Sequence, residues 1–253
     1  MDPISAELIR QGQALWRAPR EQIAFTGQAA ADRLLNDLEH TPHAFVLACL
    51  MDRQIRAELA WLIPFQISEK LQSNTLERLA ALTLTEFEQL MSVPAPLHRF
   101  PLQMAKILHA AVRRVEHEYH GRADTLWLGK PSSAEVVYRL LQFEGAGPKI
   151  ATMAANILAR EFKIEFSDYY SIDISLDVHV RRVMARLGLI SANASDEQMI
   201  YKARAISPDF PGLLDFPLWS IGRSTCRPAA PHCAVCPMRE TCPTSLNLQS
   251  SRV

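Results

Sequence analysis

Glycine is scarce in this sequence, with 9 in 253 residues, and the abundant Leu, Ala, Arg and Glu are strong helix formers. An all-α protein is expected. Net charge is missing as well. The 27 basic residues balance 27 acidic ones, so the total charge offers no bulk attraction to a nucleic acid, and any DNA-binding reading must rest on local geometry. No apolar run approaches the roughly 20 residues of a membrane span. The start, Met-Asp-Pro-Ile-Ser, lacks the basic and apolar blocks of a signal peptide. These absences point to a cytoplasmic protein with no membrane partner. No internal repeat and no long low-complexity linker interrupts the chain. What is present is ordinary for a soluble fold, 48% hydrophobic and 21% charged residues, in a chain long enough to bury a real core as one large domain or two intimate lobes.

Apolar residues recur at three and four over 4–16 and 28–38, predicting two amphipathic helices at the N-terminus. Thr41-Pro42 starts a third, running through His43 to about Gln54; apolar on most faces from Phe45 to Met51, it belongs at the centre of a core. Cys49, within that helix, reads as a buried small hydrophobe. Helical pattern resumes over 57–63, is interrupted at Pro64 and returns over 65–71. Short helices follow near 76–81 and 85–91, the second behind the cap Thr83-Leu84-Thr85-Glu86. A long helix covers 101–120 and stops at Gly121. Further helices are expected over 134–142, from the next glycine turn to near Phe162, over 178–187 behind Asp177, over 195–206 and over 213–223.

Four of the five cysteines, Cys226, Cys233, Cys236 and Cys242, fall within seventeen residues, with gaps of six, two and five. Thiolates are soft ligands, so four together suit zinc or an iron–sulfur cluster. Structural zinc sites usually use two Cys-x2-Cys pairs a dozen or more residues apart. Here one pair is flanked by singles on a compact loop stiffened by Pro228, Pro231, Pro237 and Pro243, and a cubane cluster, a larger object with ligands at its corners, fits such a loop better. Two disulfides are the remaining reading, although nothing else in the chain looks secreted.

Between two helical patterns lies Phe143-Glu144-Gly145-Ala146-Gly147-Pro148-Lys149-Ile150-Ala151. Gly145, Ala146 and Gly147 turn the chain tightly and leave its backbone open to a ligand. Pro148 suits the first position of the next helix, whose N-terminus beside the glycines can receive one phosphate. A simple αα-turn is the plainer reading.

The run Leu-Gln-Phe-Glu-Gly-Ala-Gly-Pro-Lys-Ile-Ala, followed some thirty residues later by Leu-Asp-Val-His-Val-Arg-Arg-Val, resembles the hairpin and catalytic-aspartate segments of the helix-hairpin-helix DNA glycosylase superfamily. The cysteine spacing resembles that of its iron–sulfur, endonuclease III-like branch. The similarity covers about residues 40–243. The central Leu-Ala-Cys-Leu-Met-Asp-Arg-Gln-Ile departs from the Ser-Ala-Gln-Ala-Thr-Asp type of endonuclease III, which makes this a divergent member. The resemblance implies two helical lobes: 41–165, a helical barrel carrying the hairpin at 143–151, and 1–40 with 166–253, carrying a [4Fe-4S] cluster on the loop 226–242. It also implies a monomer acting on duplex DNA that contains a damaged or modified base.

By the same resemblance Lys149 is the nucleophile that attacks the sugar C1′ in enzymes that both excise a base and cut the strand as AP lyases. Attack requires the neutral amine, which desolvation and the positive end of a helix dipole both favour. Its plainer role is contact with phosphate or solvent. Asp177 matches the carboxylate that stabilises oxocarbenium-like charge, while Asp is also a favoured helix N-cap. Asp173 is the alternative carboxylate, its plainer role being a loop residue, and His179 matches a position near the cleft, although a lone histidine is more often structural. Gln54 corresponds loosely to a polar side chain inserted in the gap left by a flipped base. Arg181, Arg182 and Arg186 are candidate phosphate contacts, as are Arg223, Arg227 and Arg239 near the cysteines. The function implied is a glycosylase with lyase activity. The alternatives are a monofunctional glycosylase, for example for alkylated bases, in which Asp177 activates water, and a non-catalytic DNA-structure binder.

Overall fold

A computed structural model describes residues 2–250, with side chains described over 2–247. Among the described residues there is no strand. The α-helices, in order, are α1 (Pro3–Arg17), α2 (Ala29–Asn36), α3 (Pro42–Met51), α4 (Ala57–Leu71), α5 (Leu76–Ala80), α6 (Leu84–Ser92) and α7 (Pro101–Glu118). They continue as α8 (Ser133–Leu141), α9 (Pro148–Arg160), α10 (Val178–Arg186), α11 (Asp196–Ile206), α12 (Asp215–Ser224) and α13 (Pro243–Ser250). The expected all-α class is what forms. None of the described helices is long and apolar enough to cross a membrane.

Two compact units divide the chain, one of residues 20–131 and 138–154, the other of 1–19, 132–137 and 155–253. The first is built around α3, whose residues from Pro42 to Met51 are all buried. A helix without a polar face is stable only when neighbours surround it, and α3 packs against α2, α4, α7 and the 3-10 turn Ala123–Leu126. Phe45 meets the Trp127 ring edge-on at 6.0 Å, and Trp61 stacks on Phe25 at 4.3 Å. Fully burying one such side chain contributes about 1.5–3 kcal/mol. Thr83 and Glu86 form the expected capping box at α6.

Two local expectations fail in this unit for physical reasons. The central helix stops at Met51 instead of reaching Gln54: the Asp52 N–H turns to the Cys49 carbonyl at 3.2 Å, the Arg53 N–H to the Met51 carbonyl at 2.7 Å, and Gln54 adopts the left-handed φ of +55°. Pro64 does not interrupt its helix: α4 is continuous from Ala57 to Leu71 with Pro64 buried inside it. A proline removes one backbone bond at a cost of about 3 kcal/mol, and here its ring lies in the apolar core.

The second unit has its own core of Leu8, Val180, Val183, Met184, Met199, Leu214, Leu218 and Ile221. There α10 packs on α12, and α1 packs on α12 and on the 3-10 turn Pro211–Leu214. Gly222 makes the α10–α12 approach possible, since a Cβ there would stand 2.8 Å from His179 Cβ. The helix expected over 213–223 is split, with α12 beginning only at Asp215. The preceding backbone is committed elsewhere: Gly212 N–H donates to the Ile172 carbonyl at 2.7 Å, and its carbonyl accepts from Asn156 Nδ2 at 2.8 Å.

Candidate functional site

The hairpin rests on buried apolar residues. Phe143 follows the end of α8, is 2% exposed and stacks on Tyr119 with planes 9° apart. Ile150 and Ala151, in the first turns of α9, are also buried. Gly145 has a φ of +84°, and a Cβ at this position would lie 2.9 Å from Ile107 Cδ1 and 3.2 Å from Arg53 Nη2, so both backbone and space demand glycine. Gly147 differs: a Cβ there meets nothing within 4 Å. Pro148 opens α9 and Lys149 follows it, half-buried.

Arg53 was not singled out in the sequence, yet it braces this turn. Its Nη2 donates to the Gly145 carbonyl, ninety-two residues away in sequence. Arg53 is held in turn by His98, whose Nε2–H donates to the Arg53 carbonyl while Nδ1 accepts the Phe100 N–H at 3.1 Å. The bond accepted by Nδ1 requires the neutral ring, in accord with burial lowering the His98 pKa. Gln54, exposed, is the next residue along.

In the other unit, Asp177 is the N-cap of α10, its Oδ1 accepting the His179 N–H at 2.7 Å. Asp173 is occupied by Arg204, which donates to both of its oxygens at 2.8 Å; that pairing raises the Arg204 pKa. His179 Nδ1 accepts from Arg182 Nη2 at 2.9 Å.

The arginines suggested as phosphate contacts on α10 are bonded within the protein. Arg181 donates to the Ala194 carbonyl and to Asp196. Arg182 donates to the carbonyls of Cys226 at 2.8 Å and Gly222 at 2.7 Å. Arg186 donates to the carbonyls of Arg227 and Pro228, each at 2.6 Å, and to Cys226 Sγ at 3.3 Å. Two of the three therefore hold the cysteine loop.

All five cysteines are free, which removes the disulfide reading from this structure. Cys49 is buried and its thiol pKa is pushed well up by that burial. Cys226, Cys233, Cys236 and Cys242 line one small cavity with Arg186, Thr225, Pro231, Thr244 and Ser245. Among the described residues no group of three or more His, Cys, Asp or Glu side chains is arranged to hold a single metal ion. The donor set is all sulfur, with no carboxylate or imidazole on the lining, which fits soft-metal chemistry.

Solved structures share this fold. One is a trapped endonuclease III–DNA covalent intermediate, 19% identical, TM-score 0.59, covering 87% of this chain and 95% of that one. Another is a thermostable thymine-DNA glycosylase, 15% identical, TM-score 0.64, covering 97% and 100%. Residues 47–208 match the HhH-GPD superfamily of base excision DNA repair proteins, and the chain belongs to that family. A segment of 113 residues, 42% of this chain, is 26% identical to endonuclease III homolog 2, chloroplastic, of Arabidopsis thaliana. It covers 27% of that protein, so the match spans about a quarter of the relative's length.

Proposed function

We propose that this protein is a DNA glycosylase with associated AP lyase activity, removing a damaged or modified base from duplex DNA. The observation that carries the reading is the hairpin itself: a left-handed Gly145 braced by Arg53, an open Gly147, and Lys149 in the first turn of α9. A base within a duplex is inaccessible, so the target nucleotide must leave the stack. Hairpin N–H groups grip a phosphate, and Gln54, exposed beside Arg53, enters the gap.

Lys149 Nζ, as the neutral amine, attacks C1′ as the glycosidic bond breaks and the base departs with a proton. The C1′–O4′ bond then breaks, O4′ taking a proton as the sugar ring opens, to give an iminium between Nζ and C1′; loss of a C2′ proton eliminates the 3′ phosphate, which cuts the strand. Asp177, through its carboxylate, stabilises positive charge on the sugar and assists proton movement. Its capping bond to His179 fixes one oxygen. Cys226, Cys233, Cys236 and Cys242 are suited to hold a [4Fe-4S] cluster, which when bound supplies a rigid cross-link for a loop with little core. The protein acts as a monomer in the cytoplasm.

The test is a panel of duplex oligonucleotides, each carrying one lesion: an oxidised pyrimidine, 8-oxoguanine, a G·T mismatch or an alkylated adenine. Base release and strand cutting are read separately, with borohydride present to trap a covalent adduct. Wild type is expected to trap and Lys149→Ala to lose trapping entirely. If wild type cuts abasic DNA no faster than Lys149→Ala, the lyase reading is wrong. Base release without trapping, lost in Asp177→Asn, would leave a monofunctional enzyme in which Asp177 activates water. Binding with no release by any variant would leave a DNA-structure binder.

A further inference from the structure

Asp215 is a buried carboxylate that the excision chemistry above does not use. It opens α12, is 9% exposed, and burial pushes its pKa up from the usual carboxylate range. A buried carboxylate is costly unless it is hydrogen-bonded, and this one is specifically partnered. One oxygen accepts the Ser175 N–H at 2.6 Å and the Ser175 Oγ–H at 2.7 Å. The charged groups acting on it are the buried Arg160 guanidinium, which favours its ionised form and lies 4.6 Å from the Phe216 ring centroid, and Asp177, which opposes it.

Ser175 stands two residues before Asp177 in the segment Ile172-Asp173-Ile174-Ser175-Leu176-Asp177. Extended chain sends alternate residues to opposite sides. Ile172 and Ile174 are buried, and Leu176 packs against the core of this unit. The intervening residues are each tied to a different helix: Asp173 to Arg204 of α11, Ser175 to Asp215 of α12, and Asp177 to the first turn of α10. Of the three ties, only that at Ser175 uses a buried acid, and it grips the backbone N–H as well as the side chain.

We propose that Asp215 is a positioning residue for Asp177: by holding Ser175 it fixes where the Asp177 carboxylate stands, and so sets the rate of base excision without touching DNA. The inference rests on the reading of Asp177 as the excision carboxylate. Catalysis is sensitive to displacements of about 1 Å, which can cost about a hundredfold in rate. Binding of the DNA backbone is far less so.

The experiment measures single-turnover base release and DNA affinity on the oligonucleotide of the panel that wild type processes fastest, with folding checked by circular dichroism. Asp215→Ala is expected to slow release by about 10- to 100-fold while DNA affinity stays within about twofold. Asp215→Asn, which keeps an oxygen acceptor for Ser175, should recover to within about threefold of wild type. A normal rate for Asp215→Ala beside a dead Asp177→Asn overturns the positioning role alone, as does parallel loss of rate and affinity. A normal rate for Asp177→Asn overturns the excision reading instead, and this inference with it. Should Asp215→Ala fail to fold, Ser175→Ala decides: release about three- to tenfold slower at unchanged affinity supports the role, and a wild-type rate overturns it.

Discussion

On either side of the Gly145–Gly147 turn, Phe143, Ile150 and Ala151 are buried, whereas between Cys226 and Cys242 only Met238 and Cys242 are. The hairpin inherits its shape from apolar packing plus one arginine brace. The cysteine loop is instead held by polar bonds from Arg182 and Arg186 to its carbonyls, charge-assisted bonds that contribute about 1.5–3 kcal/mol apiece net. One segment folds because its unit folds. The other has little core, and the cluster proposed for its four thiols would cross-link it.

The largest effect should therefore come from the loop. With the proposed cluster in place, chelating its iron, or Cys236→Ser, is expected to destroy amide protection over 226–242 and to cost about 4 kcal/mol or more in stability, while protection of the buried first turns of α9 persists. Equal loss in both segments on hydrogen exchange would erase the contrast between them. Next comes the glycine pair. Gly145→Ala must take a left-handed φ and push against Ile107 and Arg53, so urea unfolding should register a loss of about 2–3 kcal/mol. Gly147→Ala, with open space around it, should stay within about 0.5 kcal/mol. Similar values for the two would refute the steric account of the turn.

The smallest effect concerns acid. His43 is buried on α3 with Nε2 2.9 Å from the Asn74 carbonyl, and burial lowers its pKa from 6.5. The folded ring thus binds fewer protons than the unfolded chain as pH falls below the ordinary histidine range, so stability must drop there with falling pH. Exchange of the α3 amides should quicken over that window in wild type, and His43→Gln should flatten the response. An unchanged slope in the variant would assign the acid sensitivity to other groups.

Local signals in the sequence were legible. Thr83 and Glu86 announce α6, the helix expected from Ser195 forms as α11 with Ser195 as its cap, and Gly121 at a φ of +77° follows the long α7. These depend on residues three or four apart. The misread places depend on distant partners. The turn that follows α3 is tied down by His98, and where α12 begins is decided by Ile172 and Asn156. The same holds for the site. Gly145, Lys149 and the cysteines stand in recognisable spacings, but Arg53 meets Gly145 across ninety-two residues and Asp215 meets Ser175 across forty. A single arginine or aspartate carries no periodic or motif signal, so nothing in the sequence marks it until the fold supplies its partner.

The segment Ile172–Asp177 also bears on how substitutions elsewhere in its unit will behave. Because Asp173, Ser175 and Asp177 are moored to α11, α12 and α10 in turn, a weakened cap or a trimmed side chain on any of these helices shifts the mooring before it melts the fold. On the role proposed for Asp177, such variants should emerge from a mutational survey as stable, DNA-competent and slow, their defect mapping far from Asp177 along the chain but one hydrogen bond from its neighbours.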